Sequence, residues 1–345
     1  MNSNVYNYSY DDIFLVPQYS QVSSRSSANT SVRLGDFHIR TPIMSANMDT
    51  ITGSSMAIAM YNAGGIGSLH RFMSIKENIN EYNLVRVGGA DCFVSVGVND
   101  HSKERFDTLY LSGARHFVID IAHGHSIMMK NMLQWIKSNY KDAFIMAGNV
   151  ATPQAVSDLH DWGADSIKVG ISNGSCCSTN IVTGHGVPQF SAVLDCAHAA
   201  DQCGVHVVAD GGIKTSGDIV KAFAAGCDLV MIGSLLSGTD ETPGKFIETR
   251  NGKVKEYRGM ASSAAMSNRP GQSGSYTPTA EGVKTLVSAK GSAINIVNDL
   301  TKGLKSGMSY CNAFSISDIS VNSKWGVRTM SGLNDGKPHI LGSVT

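Results

Sequence analysis

The chain has 345 residues, 42% of them hydrophobic and 16% charged, and its 28 Lys and Arg offset its 28 Asp and Glu. Such a length suits one β/α barrel, and its core is large enough to need no disulfide or metal staple. Without a basic surplus to release counterions, binding to DNA or RNA is not expected, whereas a small anionic ligand held by backbone amides remains open. The seven cysteines follow no disulfide or zinc spacing. The polar start MNSNVYNYSYDD is unlike a signal peptide. No apolar run approaches the roughly 18 residues of a membrane span. The expectation is a reducing, cytoplasmic compartment and no membrane partner.

Eight short, β-rich apolar runs follow in chain order: Ile43–Met48, Gly65–Leu69, Phe93–Val98, Phe117–Ala122, Phe144–Val150, Ser166–Ile171, His206–Asp210 and Leu229–Leu235. Such runs suit parallel strands buried on both faces. Helical patterns lie between most of them, at Ser54–Asn62, Ile127–Tyr140, Pro153–Trp162, Ser191–Gln202 and Ser216–Ala225. Gly113-Ala114, Gly163-Ala164-Asp165 and Gly226-Cys227-Asp228 form a weak repeat, each Gly suited to a helix C-cap before a strand. Alternating strands and helices predict α/β.

A doubly wound sheet would carry GxGxxG after its first strand and one site at a switch point. Here the first run ends in Ser45-Ala46-Asn47-Met48-Asp49, and polar or Gly-rich run ends are spread along the chain. That distribution predicts a single (β/α)8 TIM barrel spanning 1–345, with no inserted domain. Residues 245–282 break the rhythm. Asn251-Gly252 reads as a hairpin turn. The Ser/Gly/Pro-rich stretch after it, about 261–282, reads as a mobile active-site flap or as a plain surface excursion.

The segment from Lys168 to Asn180, KVGISNGSCCSTN, follows a predicted strand with Gly, small polar residues and two thiols. Its backbone groups can turn toward an ion or a phosphate. Cys177 is then a candidate nucleophile with Cys176 as its buried neighbour, although a free loop cysteine is more often inert. Asp210-Gly211-Gly212 and Gly233-Ser234 end the seventh and eighth runs, where barrels bind phosphate. Asp210 suits a ribose diol or an Asx-turn. Asp120, His123 and His125 end the fourth run; a zinc site would want a further ligand at a spacing not evident here, and a His-rich polar lining or helix capping by Ser126 is the favoured reading. Glu281 reads as a solvated loop charge, or as a proton-transfer partner of Thr179 if the loop folds over the barrel.

Taken together, these segments resemble the family that contains GMP reductase and IMP dehydrogenase. The resemblance runs from Tyr10-Asp11-Asp12-Ile13 to about Tyr310. It rests on Ser45-Ala46-Asn47-Met48-Asp49-Thr50, Ala147-Gly148-Asn149-Val150, the Cys177 loop, Thr183-Gly184 to Pro188-Gln189, Asp210-Gly211-Gly212, Tyr257-Arg258-Gly259-Met260 and Glu281-Gly282. It implies that Cys177 attacks C2 of a purine nucleotide, with Thr179 and Glu281 handling the proton. Asp210 would hold the ribose. Ser175, Gly211, Gly212, Gly233 and Ser234 would hold the phosphate, with Gly259 and Met260 at the base. A nicotinamide cofactor would lie near His70, Asp120, Ile121, Ala122, Ser306, Gly307, Met308 and Ser309, with Ser24 and Arg25 toward its adenosine end. Potassium would order the loop through Gly170, Ser172, Gly174 and Cys177. A homotetramer is implied as well.

Within that family, the dehydrogenase resemblance would imply inserted regulatory repeats and an Arg-Tyr pair in the flap as water-activating base. This chain has no insert between Glu77 and Asp91. The only Arg between Met266 and Glu281 is Arg269, followed by Pro270. Ile121-Ala122 after Asp120 also looks more like the reductase. The expected activity is therefore NADPH-dependent reduction of GMP to IMP with release of ammonia. The alternatives are an IMP dehydrogenase without regulatory domains and a nucleotide-binding barrel with little or no catalysis. Tyr257-Arg258-Gly259-Met260, Ser234-Leu235-Leu236 and Glu281-Gly282-Val283 look more like the dehydrogenase. Ser172 and Asn180 stand where the family usually has Gly and Arg.

Overall fold

The computed structural model describes residues 7–267 and 279–338. Eight parallel strands close into a barrel: β1 Ile43–Ser45, β2 Ile66–Leu69, β3 Cys92–Val96, β4 His116–Asp120, β5 Phe144–Val150, β6 Ser166–Val169, β7 His206–Asp210 and β8 Leu229–Ile232. Ile43 pairs with Val230 to close the ring. The eight predicted runs are these eight strands, so the (β/α)8 barrel expectation holds. Most strands end earlier than predicted, because the chain leaves the ladder as soon as it meets small or polar residues. Thus Met48 N already turns back to Ala46 O at 2.8 Å.

The period of two along each strand sorts the interior by height. Ile66, Phe93, Val118 and Val208 belong to one buried apolar cluster with Met44, Met146 and Met231. Two residues further along the same strands stand Ser68, Ser95, Asp120 and Asp210. The lower barrel is therefore apolar and its C-terminal mouth polar. A hairpin, Val32–Leu34 with Phe37–Ile39, closes the lower end, where Leu34, Phe37 and Ile39 join that cluster. Phe37 lies 5.3 Å from Phe93, ring to ring. Burying each such side chain contributes about 1.5–3 kcal/mol.

The outer layer is α1 Ser54–Asn62, α2 Ile75–Val87, α3 Asp100–Leu111, α4 Ile127–Asn139, α5 Pro153–Asp161, α6 Gln189–Cys203, α7 Ser216–Ala224 and α8 Ala293–Tyr310. Side-chain caps set their starts: Ser126 Oγ accepts from Met129 N, and Thr215 forms a capping box with Asp218. Gly113, Gly163 and Gly226 follow helices with φ of 101°, 109° and 98°. The left-handed C-cap explains the repeat. Between β8 and α8 stand three antiparallel strands, β9 Ile247–Thr249, β10 Gly252–Arg258 and β11 Lys284–Ser288. Asn251-Gly252 makes the expected turn, while β11 was not anticipated. The central part of the predicted flap, 268–278, lies outside the described residues. No helix among the described residues is long and apolar enough to cross a membrane.

Candidate active site

The loop after β6 brings Cys177 to the mouth, exposed, while Cys176 is buried beneath it. Cys177 N donates to Gly174 O at 3.0 Å, and its Sγ lies 3.1 Å from Thr179 Oγ1. Thr179 opens a short helix, Thr179–Thr183. The returning chain pairs with this loop: Ser178 N donates to Glu281 O at 2.9 Å and Val283 N to Cys176 O at 3.0 Å. Gly282 bridges both Cys177 and Ser262. On the other side, Gly259 N donates to Val283 O and Glu281 N to Ala261 O. A Cβ on Gly259 would stand 2.7 Å from Cys176 O, so only Gly lets these segments meet. Burial pushes the Cys176 thiol up, against hydrogen bonds to Tyr257 and Ser175. That keeps Cys176 protonated and makes Cys177 the accessible thiol.

Across the mouth, Lys168 is buried between two carboxylates. Its Nζ lies 2.8 Å from Asp210 Oδ2 and 3.4 Å from Asp120 Oδ1. Asn149 Nδ2 shares Asp210 Oδ2 at 3.0 Å. Burial alone would raise the Asp120 carboxyl, but Lys168, Arg71 and a hydrogen bond from Asn47 hold it below the usual range. Burial likewise opposes charge on Lys168, and the two aspartates outweigh it. Asp120 therefore stays ionised at the mouth, an acceptor suited to hydroxyl groups.

The expected phosphate residues lie nearby but act unequally. Ser175 Oγ is 2.9 Å from the hydroxyl of Tyr257, which burial pushes up to about 12. A Cβ on Gly233 would lie 3.5 Å from that same hydroxyl, and Ser234 follows it at the end of β8. Gly211 and Gly212 follow Asp210, but the Gly212 amide already donates to Asn173 O at 2.9 Å. Met260 Sδ accepts from Asp49 N at 3.3 Å.

Among the expected cofactor residues, Asp120, Ile121 and Ala122 stand at the mouth, Ala122 exposed. His70 does not serve as an open ligand group. It is buried, its Nδ1 accepts from Phe72 N at 3.1 Å, and burial lowers it to about 4. The next residue, Arg71, reaches the mouth instead and donates to Asp120 O at 3.1 Å. Ser306, Gly307, Met308 and Ser309 fall in the last turn of α8, in the outer helical layer. Met308 is buried there, and Gly307 packs on Val220 of α7. Ser24 and Arg25 lie in a short turn against the same helix.

A family model described as the IMP dehydrogenase / GMP reductase domain matches residues 7–339. The chain belongs to that family. A GMP reductase from Leishmania major is 32% identical, over 97% of each chain. An inosine-5'-monophosphate dehydrogenase from Nitrosopumilus maritimus is also 32% identical, over 96% of this chain and 97% of its own. These alignments span 477 and 464 positions, more than this chain's 345 residues, so the reductase and the dehydrogenase relative both hold sequence that this chain lacks, and the missing insert does not separate the two activities. Among solved structures, a GMP reductase variant from Trypanosoma brucei in complex with guanosine 5'-monophosphate superposes with a TM-score of 0.90. It is 31% identical and is covered, like this chain, over 99%. The match establishes an oxidoreductase barrel, and the family uses nicotinamide cofactors.

Ser172 has φ of 72°, a region that Gly enters freely and Ser at a cost. Its Oγ accepts from Asn180 N at 2.9 Å, so the two residues expected from the resemblance to depart from the family pattern touch. Gly170 O accepts from Asn149 Nδ2 at 2.8 Å and Gly174 O from Cys177 N. Two of the carbonyls expected to hold potassium thus each accept a hydrogen bond already, which leaves one lone pair on each. His125, set aside as a metal ligand, pairs with Asp158 at 2.7 Å.

Proposed function

We propose that this chain reduces GMP to IMP and ammonia with NADPH, through a thioimidate on Cys177. The observation that carries this reading is the pairing of the Cys177 loop with Glu281-Gly282-Val283, which sets Cys177, Thr179 and Glu281 along one edge of the mouth. Asp210 accepts the ribose hydroxyls, while Ser175, Gly211, Gly233 and Ser234 surround the phosphate. The Cys177 thiolate adds to C2 of the purine. A proton delivered through Thr179 and Glu281 lets the 2-amino group leave as ammonia, giving the thioimidate. Bound NADPH supplies a hydride for C2. The thiolate then leaves, and the sum is GMP, NADPH and two protons giving IMP, NADP+ and ammonium. No water-activating base is required, which agrees with the lack of an Arg-Tyr pair between Met266 and Glu281.

The residues implied at the adenosine end, Ser24 and Arg25, lie against α8 in the outer layer. A neighbouring copy supplies them in this reading, within a homotetramer. Asp120, Arg71 and Ala122 then face the nicotinamide half. A single-barrel catalytic chain in a cytoplasmic setting completes the proposal. The alternative is oxidation of IMP with NAD, favoured by Arg258 before Gly259-Met260 and by the Nitrosopumilus maritimus dehydrogenase relative. Absorbance at 340 nm separates the two. GMP with NADPH should lose signal as IMP and ammonia form; a gain with IMP and NAD instead would establish the dehydrogenase.

A further inference from the structure

Arg258 ends β10, directly before Gly259 and Met260. Asp49 lies in the loop that leaves β1. The two are 209 residues apart, yet their side chains meet with only 13% and 6% exposed. Arg258 Nε donates to Asp49 Oδ2 at 3.0 Å, and its Nη2 reaches the same carboxylate. A planar fork on a carboxylate fixes orientation as well as distance. Two backbone contacts repeat the junction: Arg258 N donates to Thr50 Oγ1 at 3.3 Å, and Asp49 N to Met260 Sδ.

The pair continues outward. Arg258 Nη1 lies 3.2 Å from Glu256 Oε1, and Lys284 Nζ reaches Glu256 Oε2. Lys284 is the register partner of Arg258 in β11. The chain leaves this sheet just after Arg258 and returns just before Lys284. On the way it makes the contacts of Gly259, Ser262, Glu281 and Val283 with one another and with Cys176 and Cys177. A single carboxylate on the barrel therefore anchors both the segment at the base pocket and the segment that carries Glu281.

We propose that Asp49 and Arg258 act as one positioning unit for the reaction. They are a clasp that holds Met260 and Glu281 in register with Cys177 and touch no reacting atom themselves. The proposal rests on the reading of this mouth as a purine-nucleotide site. Phosphate and ribose are held outside the clasp, by Ser175, Gly233 and Asp210. Loosening the clasp should therefore slow the chemistry more than it weakens nucleotide capture.

The test compares Asp49→Asn, Arg258→Gln, the double variant and the milder Arg258→Lys with wild type, each checked by thermal melting. Two quantities are read: kcat and KM for GMP with NADPH, and the rate of Cys177 alkylation by iodoacetamide without ligand, by peptide mapping. Each single neutral variant should lose about tenfold in kcat, keep KM within about threefold, and alkylate about threefold faster. The double variant should be no worse than the worse single, because both remove one unit. Arg258→Lys should fall between. Multiplying losses, a change confined to KM, or wild-type kcat and alkylation would overturn the clasp. If wild type oxidises IMP with NAD instead, the functional reading fails, and the same split in that direction decides the clasp. If wild type turns over neither nucleotide, unchanged alkylation overturns the clasp and faster alkylation upholds its hold on Cys177.

Discussion

Cys177 Sγ lies 3.1 Å from Thr179 Oγ1, and the residue between them, Ser178, donates its amide to Glu281 O at 2.9 Å. One thiol, one hydroxyl and one carboxylate-bearing segment are thus joined by a single turn of backbone. If this is the reacting centre, Cys177→Ser should lower turnover by about a thousandfold or more while GMP binding stays within about threefold, since the nucleotide is held elsewhere. Calorimetry beside the 340 nm assay reads both. Substantial remaining turnover would move the nucleophile elsewhere.

Glu281→Gln keeps the shape and removes the charge. It should slow ammonia release more than hydride transfer, by about 10²- to 10⁴-fold if the group is a general acid or base. Rapid-quench detection of the enzyme-bound thioimidate separates the steps. An unchanged rate of thioimidate formation would remove Glu281 from the mechanism.

How much of this was legible beforehand follows from how far apart the partners lie. The eight strands announce themselves, because each is a short apolar run buried on both faces. Lys168 is different. It sits inside such a run, and its partners Asp120 and Asp210 are 48 and 42 residues away. Only closure of the barrel makes them neighbours. His70 and Arg71 show a second limit: at a strand end, adjacent residues part, and the sequence does not say which one is swallowed. The hairpin under the barrel and β11 were missed for a third reason. Three to five residues are too few for a periodic signal.

Lys168→Met tests the buried bridge. Removing one partner of a buried ion network leaves charge uncompensated, which costs about 3–5 kcal/mol. Chemical denaturation at neutral pH should show that loss. A loss below about 1 kcal/mol would mean that water or Arg71 already screens the carboxylates.

Ser172→Ala keeps the left-handed backbone and removes the hydroxyl that holds Asn180 N. A loss of about 1 kcal/mol is expected, with lower turnover, because the short helix beginning at Thr179 loses its tie. The same assay reads the cation. Exchanging potassium for choline should change wild-type turnover less than about threefold, given that Gly170 O and Gly174 O are engaged. A larger loss would show that these carbonyls take a cation through their second lone pairs.

His70 makes stability depend on pH with a defined sign. Its folded pKa is lowered to about 4 by burial, while an unfolded histidine titrates near 6.5. Between those values the unfolded chain binds the extra proton, so stability rises with pH. The contribution is complete above about 6.5 and is lost as pH falls toward 4. The gap corresponds to about 3 kcal/mol, from about 1.4 kcal/mol per unit. His70→Gln should flatten the melting temperature between pH 6.5 and 4.5 relative to wild type. Parallel curves would assign the acid instability to other groups.

The placement of Ser24 and Arg25 against α8, in the outer layer, makes the last prediction. If a neighbouring copy supplies the adenosine end of the cofactor site, two different defects should complement. A Cys177→Ser chain keeps Arg25 but lacks the nucleophile. An Arg25→Ala chain keeps Cys177 but lacks the cofactor contact. Each alone should be inactive or need far more NADPH. After mixing and subunit exchange, some interfaces pair an intact mouth with an intact Arg25, and turnover should return to a fraction of wild type. Mixed oligomers seen by native mass spectrometry, yet no more active than the parents, would place the whole cofactor site within one chain.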